Sequence, residues 1–204
     1  MNAARLEAKR TALLLFDFLE GHVNRDAESR ARFAPVVQNA ALLLAAARAA
    51  RAMVAYAVAD HREDRGTSAQ TLRDTDNRLR PLAPGVPDGP LLTRGPETRI
   101  VAALAPRPDE FVVPKHRWSA FHGTYLETAL RTRGVDTLIL CGGSTDVGIA
   151  STAFAARDLD YNLVIVSDAC TSPERDNHDQ LMARVFPRMA RVRTASQVIG
   201  MLAA

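Results

Sequence analysis

The chain has 204 residues, a net charge of +3 and 47% hydrophobic residues, a composition typical of globular rather than disordered proteins. The mild charge and the absence of Lys/Arg-rich runs argue against nucleic acid as a partner, and no apolar stretch approaches the ~20 residues of a membrane span. The first residues lack the order of a signal peptide and the two cysteines make no disulfide framework, so we expect a cytoplasmic protein. The length predicts a single domain over residues 1–204.

Strand and helix patterns alternate along the chain, and residues 61–95 are polar and rich in Pro, Gly and Asp. In chain order the patterns predict strand Thr11–Phe18, helix Pro35–Arg51, strand Ala52–Ala59, loop His61–Gly95, strand Glu110–Pro114, helix Thr124–Arg133, strand Asp136–Cys141, helix Asp146–Leu159, strand Tyr161–Asp168, helix Asn177–Phe186, strand Ala190–Thr194 and helix Thr194–Leu202. This alternation predicts an α/β fold of three layers, α/β/α. Its centre is a Rossmann-like, six-stranded, mainly parallel sheet with helices on both faces.

The basic residues are divided unevenly, with 24 Arg and only 2 Lys. Because Arg serves as the general surface cation, a retained lysine indicates a place where a compact ammonium group is needed. Lys9 lies in an N-terminal helix-like stretch and is expected to be solvated. Lys115 lies between a Val-rich strand and an aromatic segment, so it is a candidate site residue.

Ligands of such sheets bind beyond the carboxyl ends of the strands, which selects the candidate residues. The first strand ends at Asp17, the second near Asp60 and His61, the third at Lys115 and the fifth at Asp168. An acid and a lysine that meet at one sheet edge suit proton transfer, and a structural ion pair is the alternative. The residues alone leave both interpretations open.

The fourth strand leads into a glycine turn, residues 142–145, and then into a helix. Its glycines do not fit the G-x-G-x-x-G phosphate motif, so we prefer a role for the backbone N–H groups in binding an oxyanion. Cys141 lies inside an apolar strand and is expected in the core, while Cys170 is expected in a loop without a role. Because Asp60 and His61 have no second His at ligand spacing, we expect neither a metal nor a cofactor.

Three blocks of the sequence resemble the isochorismatase-like hydrolases, a family that includes isochorismatases, nicotinamidases, carbamoylsarcosine amidases and ureidoacrylate amidohydrolases. LLLFDF contains Asp17, and VVPKHRWSAFHGT contains Lys115. The third block, LILCGGSTDVGIASTAFAARDLDYNLVIVSDAC, resembles the segment around the family's nucleophile. The resemblance covers residues 11–202 and implies the fold of that family.

The resemblance also implies which chemistry to expect. The family's catalytic trio is an Asp, a Lys and a Cys, with the Cys in a Thr-Asn-Val-Cys pattern, and here that pattern is Thr-Asp-Val-Gly, ending at Gly148. Without a thiol, acyl-enzyme chemistry on an amide has no nucleophile. Isochorismatases in the family also lack the cysteine, so the resemblance implies hydrolysis of a vinyl ether. Asp17 would be the general acid, and Lys115 would orient Asp17 and bind a substrate oxygen.

Substrate-binding residues are predicted from their position beside these groups. They are Phe18, His61, Trp118, Gly143, Ser144 and Thr145. The family often has a cis peptide bond in the glycine turn, which would be Gly143–Ser144 here. The expected partner is a small anionic substrate, and the resemblance implies a homodimer or homotetramer, with residues 61–95 as interface or lid.

Three alternatives to the vinyl-ether hydrolase stay open. The first is an amidase of the same family with a displaced nucleophile. The second is a homologue that binds ligand without turnover. In the third, Gly148 is an engineered replacement of a natural cysteine.

Overall fold

The computed structural model describes residues 5–64, 66–68 and 95–203. Within these residues six strands form one sheet in the order β3-β2-β1-β4-β5-β6, and every neighbouring pair is parallel. The strands are β1 Thr11–Phe16, β2 Met53–Ala59, β3 Phe111–Lys115, β4 Thr137–Gly143, β5 Asn162–Thr171 and β6 Arg191–Arg193. The predicted three-layer α/β/α fold is confirmed, and the sheet is parallel throughout.

The helices cover both faces of the sheet. They are α1 Glu20–Val23, α2 Ala27–Ala49, α3 Leu126–Thr132, α4 Ala150–Asp158, α5 Arg175–Gln180 and α6 Ala195–Ala203. Two π-helical turns, Thr145–Ile149 and Leu181–Val185, precede α4 and follow α5. In the described ranges, no helix combines the length and the apolar character needed to cross a membrane.

The alternation of side chains along β1 explains why the strand is an unbroken apolar run. Leu13 and Leu15 pack in the core on the side of α2 and α6, whereas Leu14 and Phe16 pack on the side of α3 and α4. A parallel strand that is buried on both faces needs apolar residues at every position. The site therefore lies at the end of a strand that is itself fully buried.

Helix α2 begins earlier than predicted. Asp26 accepts a hydrogen bond of 2.6 Å from the Ser29 N–H and caps the helix, which then runs through Pro35. The prediction, made from helical spacing and from the many alanines, placed the start at Pro35. Of the predicted loop His61–Gly95, residues 65 and 69–94 lie outside the described part of the chain.

Strand β5 differs from the prediction at Asp168, which does not end the strand. Leu140 pairs with Ile165 but Gly142 pairs with Cys170, so the residues between them form a bulge and β5 continues to Thr171. The Asp168 carboxylate accepts a hydrogen bond of 2.7 Å from the first N–H of α6, at Ala195. Asp168 thus caps a helix. Cys170 is buried in the strand, not in the predicted loop.

Candidate active site

The predicted acid and lysine meet at the carboxyl edge of the sheet. Asp17 directly follows β1 and Lys115 ends β3, with β2 between them. Lys115 Nζ donates to Asp17 Oδ2 at 2.7 Å, and the side chains are only 5% and 8% exposed. The N–H of Ala59, at the end of β2, donates to Asp17 Oδ1 at 2.8 Å. The ends of three strands therefore fix one carboxylate.

The backbone of Asp17 has φ +52°, in the left-handed region that residues other than glycine seldom adopt. Its N–H still donates to Ala57 O at 2.9 Å, so the chain leaves the sheet only after this residue. Such conformations concentrate at functional sites, where the surrounding structure imposes them. This turn directs the carboxylate across the end of β2 toward Lys115.

Further basic groups surround Lys115. The rings of His61 and His116 lie 5.9 Å apart, and Arg117 donates to the carbonyl oxygens of Thr67 and His116. Burial lowers the pKa of His61, and the positive charges of His116 and Lys115 lower it further. The Asp17 carboxylate therefore faces a region that favours anions.

The glycine turn contains the cis peptide bond Gly143–Ser144 that the resemblance predicts. The π-helical turn after it contains Gly148, which is buried. Gly148, the position that the resemblance predicts for the nucleophile, therefore contributes only backbone atoms. Residues 143–148 lie at the end of β4, next to β1 and therefore to Asp17.

A polar network fixes this turn. Ser144 and Ser172 each donate a short hydrogen bond to Asp146 Oδ1, and Asn177 donates to Oδ2 at 2.8 Å. Burial opposes ionisation of Asp146, but these three hydrogen bonds outweigh it and lower the pKa of the carboxyl. The Thr145 hydroxyl lies 2.9 Å from His178 Nδ1. The side chains of Ser144 and Thr145, predicted to bind substrate, are thus engaged within the protein.

The two aromatic residues predicted to wall the pocket, Phe18 and Trp118, differ in their exposure. Phe18 is buried in the core on the α2 side, edge-on to Phe33 at 6.4 Å, whereas Phe16 packs on the other face of the sheet. Residues two apart share a face of a regular strand, but the left-handed backbone of Asp17 interrupts the strand between Phe16 and Phe18, and Phe18 packs on the other face. The pocket role of Phe18 stays a prediction. Trp118 is 54% exposed and lies just after β3.

Neither cysteine belongs to the site. Cys141 is fully buried on the α2 side, as predicted, and its Sγ lies 3.9 Å from Leu14 O. Cys170 is buried on the opposite side. Burial raises the pKa of Cys141 well above its ordinary value and that of Cys170 to about 12. Both are therefore neutral thiols near neutral pH.

Some residues of the site were missed by sequence reasoning. They are Phe16, His116, Asp146, Ser172, Asn177 and His178. Phe16 and His116 directly precede and follow predicted residues, which was an available signal. Ser172, Asn177 and His178 reach the turn through the bulged end of β5 and through α5, and no local pattern indicates that contact.

The fold and site define an α/β protein with an acid–lysine pair at the carboxyl edge of a parallel sheet. Comparison with known proteins identifies the family: residues 11–197 match the Isochorismatase domain, and the chain belongs to the isochorismatase family of hydrolases. YwoC of Bacillus subtilis, described as an uncharacterized isochorismatase family protein, is 28% identical over 98% of this chain and 97% of its own. A cysteine hydrolase from Pseudomonas syringae has the same fold, with a TM-score of 0.83 and 27% identity over 97% of this chain and 94% of its own.

Other relatives match over about half of each chain or less. YecD of Escherichia coli O157:H7 is 43% identical, but the match covers 50% of this chain and 54% of YecD. A probable isochorismatase of Pseudomonas chlororaphis is 32% identical over 54% of both chains. The ureidoacrylate amidohydrolase RutB of Azorhizobium caulinodans is 38% identical over 40% of this chain and 36% of its own. The family therefore includes relatives of both reaction classes, C–O and C–N hydrolysis.

Proposed function

We propose that this protein hydrolyses the vinyl ether of a small, isochorismate-like carboxylate, with Asp17 as general acid and no covalent intermediate. The observation that supports this proposal is an acid–lysine pair beside a position that has no side chain. An acid and a lysine lie in direct contact, and the neighbouring nucleophile position is the buried Gly148. A vinyl ether suits this set of groups because its hydrolysis needs a proton and water but no thiolate.

The proposed reaction uses the Asp17 carboxyl and a water molecule. The Asp17 carboxyl transfers its proton to the terminal carbon of the vinyl ether, which leaves an oxocarbenium-like centre at the ether carbon. Water adds there and returns a proton to Asp17. The resulting hemiketal breaks down to a keto acid and an alcohol.

An anionic substrate fits the charges around Asp17. A substrate carboxylate that binds the Lys115 ammonium competes with Asp17 for that ammonium, and this frees Asp17 to act as the general acid. Arg117 adds positive potential on the same side of the sheet edge, where its charge and that of Lys115 both act on His61. The substrate class we propose is therefore a small carboxylate whose anion lies toward the end of β3.

The two cysteines do not favour the amidase alternative. Cys141 and Cys170 are buried, protonated near neutral pH and packed in the two cores on either side of the sheet. An amidase of this chain would need another nucleophile near Lys115. Of the two hydroxyls in the turn, Thr145 is fully buried and bonded to His178, and Ser144 donates to Asp146.

The experiment is a product assay with two substrate classes. Purified protein is incubated with isochorismate, and pyruvate is measured with coupled lactate dehydrogenase; parallel reactions with ureidoacrylate and nicotinamide are assayed for ammonia. We expect pyruvate and no ammonia, and an unchanged rate after treatment with iodoacetamide. Release of ammonia would favour the amidase, and thermal stabilisation by isochorismate without pyruvate would favour a binding protein.

A further inference from the structure

Phe16, the last residue of β1, lies between the two glycines of the site. Its side chain is 1% exposed, and its backbone packs against Gly142. A methyl group on Gly142 would lie 3.0 Å from Phe16 Cα and closer still to its carbonyl oxygen, and Gly142 has φ +128°. A side chain at position 142 is therefore excluded, and the end of β1 lies directly against the end of β4.

The ring of Phe16 occupies the side-chain position of Gly148. A Cβ on Gly148 would lie 2.5 Å from Phe16 Cζ, closer still to Cε1 and 3.1 Å from Cδ1. Real Cβ atoms are essentially never found under 3.0 Å from another heavy atom. The ring is packed in the α4-side core, and because protein cores are close-packed, moving the ring would disturb the residues around it. The volume of a nucleophile's side chain is thus filled by a neighbouring strand.

The same ring also contacts Lys115. Nζ lies 4.4 Å from the ring centroid, within the range of a cation–π interaction, and 2.7 Å from Asp17 Oδ2. Lys115 shares the face of β3 that carries Val113, which packs in the core with Phe16. The ammonium is therefore held between an aromatic ring and a carboxylate.

We propose that Phe16 is the positioning residue that commits this site to proton transfer. Its ring excludes any side chain at position 148 and holds the Lys115 ammonium toward Asp17. The second part of the inference rests on the proposed function, because it assigns Lys115 and Asp17 the work of catalysis. It follows that a thiol cannot be introduced at 148 alone: Phe16 must become smaller at the same time.

The first test is a double-mutant cycle measured by thermal unfolding. Gly148→Ala should lower Tm by about 5 °C or more, because overpacking a rigid core is destabilising. Gly200→Ala is the matched control, since a Cβ there meets nothing within 4 Å and Tm should stay equal or rise. The Tm of the double variant Phe16→Val/Gly148→Ala should differ by no more than about 2 °C from the Tm of Phe16→Val alone, because the smaller side chain removes the clash. Equal Tm values for Gly148→Ala and Gly200→Ala would overturn the inference.

The second test introduces a thiol and measures its alkylation by mass spectrometry. The wild-type protein should take up no iodoacetamide because both natural cysteines are buried. Phe16→Val/Gly148→Cys should take up one equivalent, since the space beside Lys115 is then free for the new thiol. If Gly148→Cys with Phe16 intact folds with the wild-type Tm and is alkylated as fast, the ring does not occupy that volume and the inference is wrong.

The third test reports on Lys115 directly, by a signal that a purely structural role would not change. The chain has only two lysines, so selective ¹³C-lysine labelling gives two sets of signals, with the exposed Lys9 as internal reference. A ring 4.4 Å from Nζ should shift the Lys115 Cε protons by its ring current. Phe16→Leu, which keeps the apolar volume, should remove that shift. Signals that coincide in the wild type, or a shift that persists in Phe16→Leu, would contradict the inference.

None of these three measurements uses a substrate. The Phe16 inference and the vinyl-ether proposal therefore fail separately. If the double-mutant cycle and the Lys115 NMR shift come out as expected but isochorismate yields no pyruvate, only the proposed function is overturned. Pyruvate release with no coupling between positions 16 and 148 would overturn only the role of Phe16.

Discussion

Among the described residues, the buried ion pair Lys115–Asp17 and the half-buried ion pair Arg48–Glu110 are built differently. Arg48 binds Glu110 through two hydrogen bonds of 2.7 and 2.8 Å, and Glu110 also accepts from the Tyr56 hydroxyl and the Arg107 N–H. Lys115 contacts Asp17 through one hydrogen bond. Glu110 lies just before β3, at the amino edge of the sheet, whereas Lys115 ends the same strand at the carboxyl edge.

The difference indicates what each pair is for. A buried charge pair is well stabilised only when hydrogen bonds satisfy its remaining atoms, and the Arg48–Glu110 pair meets that condition. In the described part of the chain, Lys115 has only the Asp17 carboxylate and the face of Phe16 as partners. An ammonium group has three N–H donors, so beside its bond to Asp17 it can donate to a substrate oxygen. We therefore propose a structural role for the Arg48–Glu110 pair and a functional role for the Lys115–Asp17 pair.

The largest expected effect separates the two pairs by activity. Asp17→Asn keeps the shape of the side chain but cannot transfer a proton, so kcat/KM for isochorismate should fall about 1,000-fold. Glu110→Gln is the matched control, since it makes the same change at the other pair and should leave kcat/KM within about twofold. Coupled pyruvate assays on both folded variants give the comparison. Full activity of Asp17→Asn would remove Asp17 from the mechanism.

The second-largest expected effect is a loss of stability when the Arg48–Glu110 pair is broken. Glu110→Ala removes the carboxylate partner of the half-buried Arg48 and should lower the free energy of unfolding by about 2 kcal/mol, as measured by urea denaturation. The activity per folded molecule should be unchanged, because Glu110 lies at the opposite edge of the sheet. If the folded variant lost its activity, the two edges would be coupled and our division of roles would be wrong.

Exchange of Lys and Arg sharpens the comparison further. Lys115→Arg should lower kcat/KM about 10- to 100-fold, because a planar guanidinium does not fit the space between Phe16 and Asp17 that holds the compact ammonium. Arg48→Lys, the reciprocal change, should cost about 1 kcal/mol of stability through loss of the two-point contact and should leave kcat/KM unchanged. Wild-type activity of Lys115→Arg would show that any positive charge suffices.

The smallest expected effect is a dependence of stability on pH. Burial raises the pKa of Glu110, but the hydrogen bonds from Arg48 and Arg107 outweigh burial and lower it below the ordinary 4.5. A carboxyl with a lowered pKa contributes stability above its unfolded-state pKa, and that contribution is lost as pH falls through the folded value. Urea unfolding below pH 4.5 should therefore show a less steep loss of stability in Glu110→Gln. If the free energy of unfolding fell equally steeply with pH in the wild type and in Glu110→Gln, this prediction would be contradicted.

The sequence predicted the part of the site that follows from strand ends. Asp17 and Lys115 were predicted from the rule of carboxyl ends, from the scarcity of lysine and from the family motifs, and the structure places them in contact. Their ion pair is possible because only β2 lies between their strands. The departure at Gly148 was also evident from the sequence, since it interrupts a recognised pattern.

The rest depends on contacts between distant parts of the chain. Phe16 was missed because the sequence does not show that its ring lies against Gly148, 132 positions later. The bulge that carries β5 past Asp168 is set by pairing with β4 and by the N-terminus of α6, not by a turn motif. The Asp146 network likewise joins the glycine turn to α5, which no local spacing indicates.

The central claim is that turnover depends on Asp17 and not on a thiol, and a cysteine-free protein tests it most directly. The measurement is kcat/KM for isochorismate in Cys141→Ala/Cys170→Ala, with circular dichroism to establish that the variant is folded. We predict a value within about twofold of wild type, because both thiols are buried away from Asp17. A folded cysteine-free variant without activity would contradict the account.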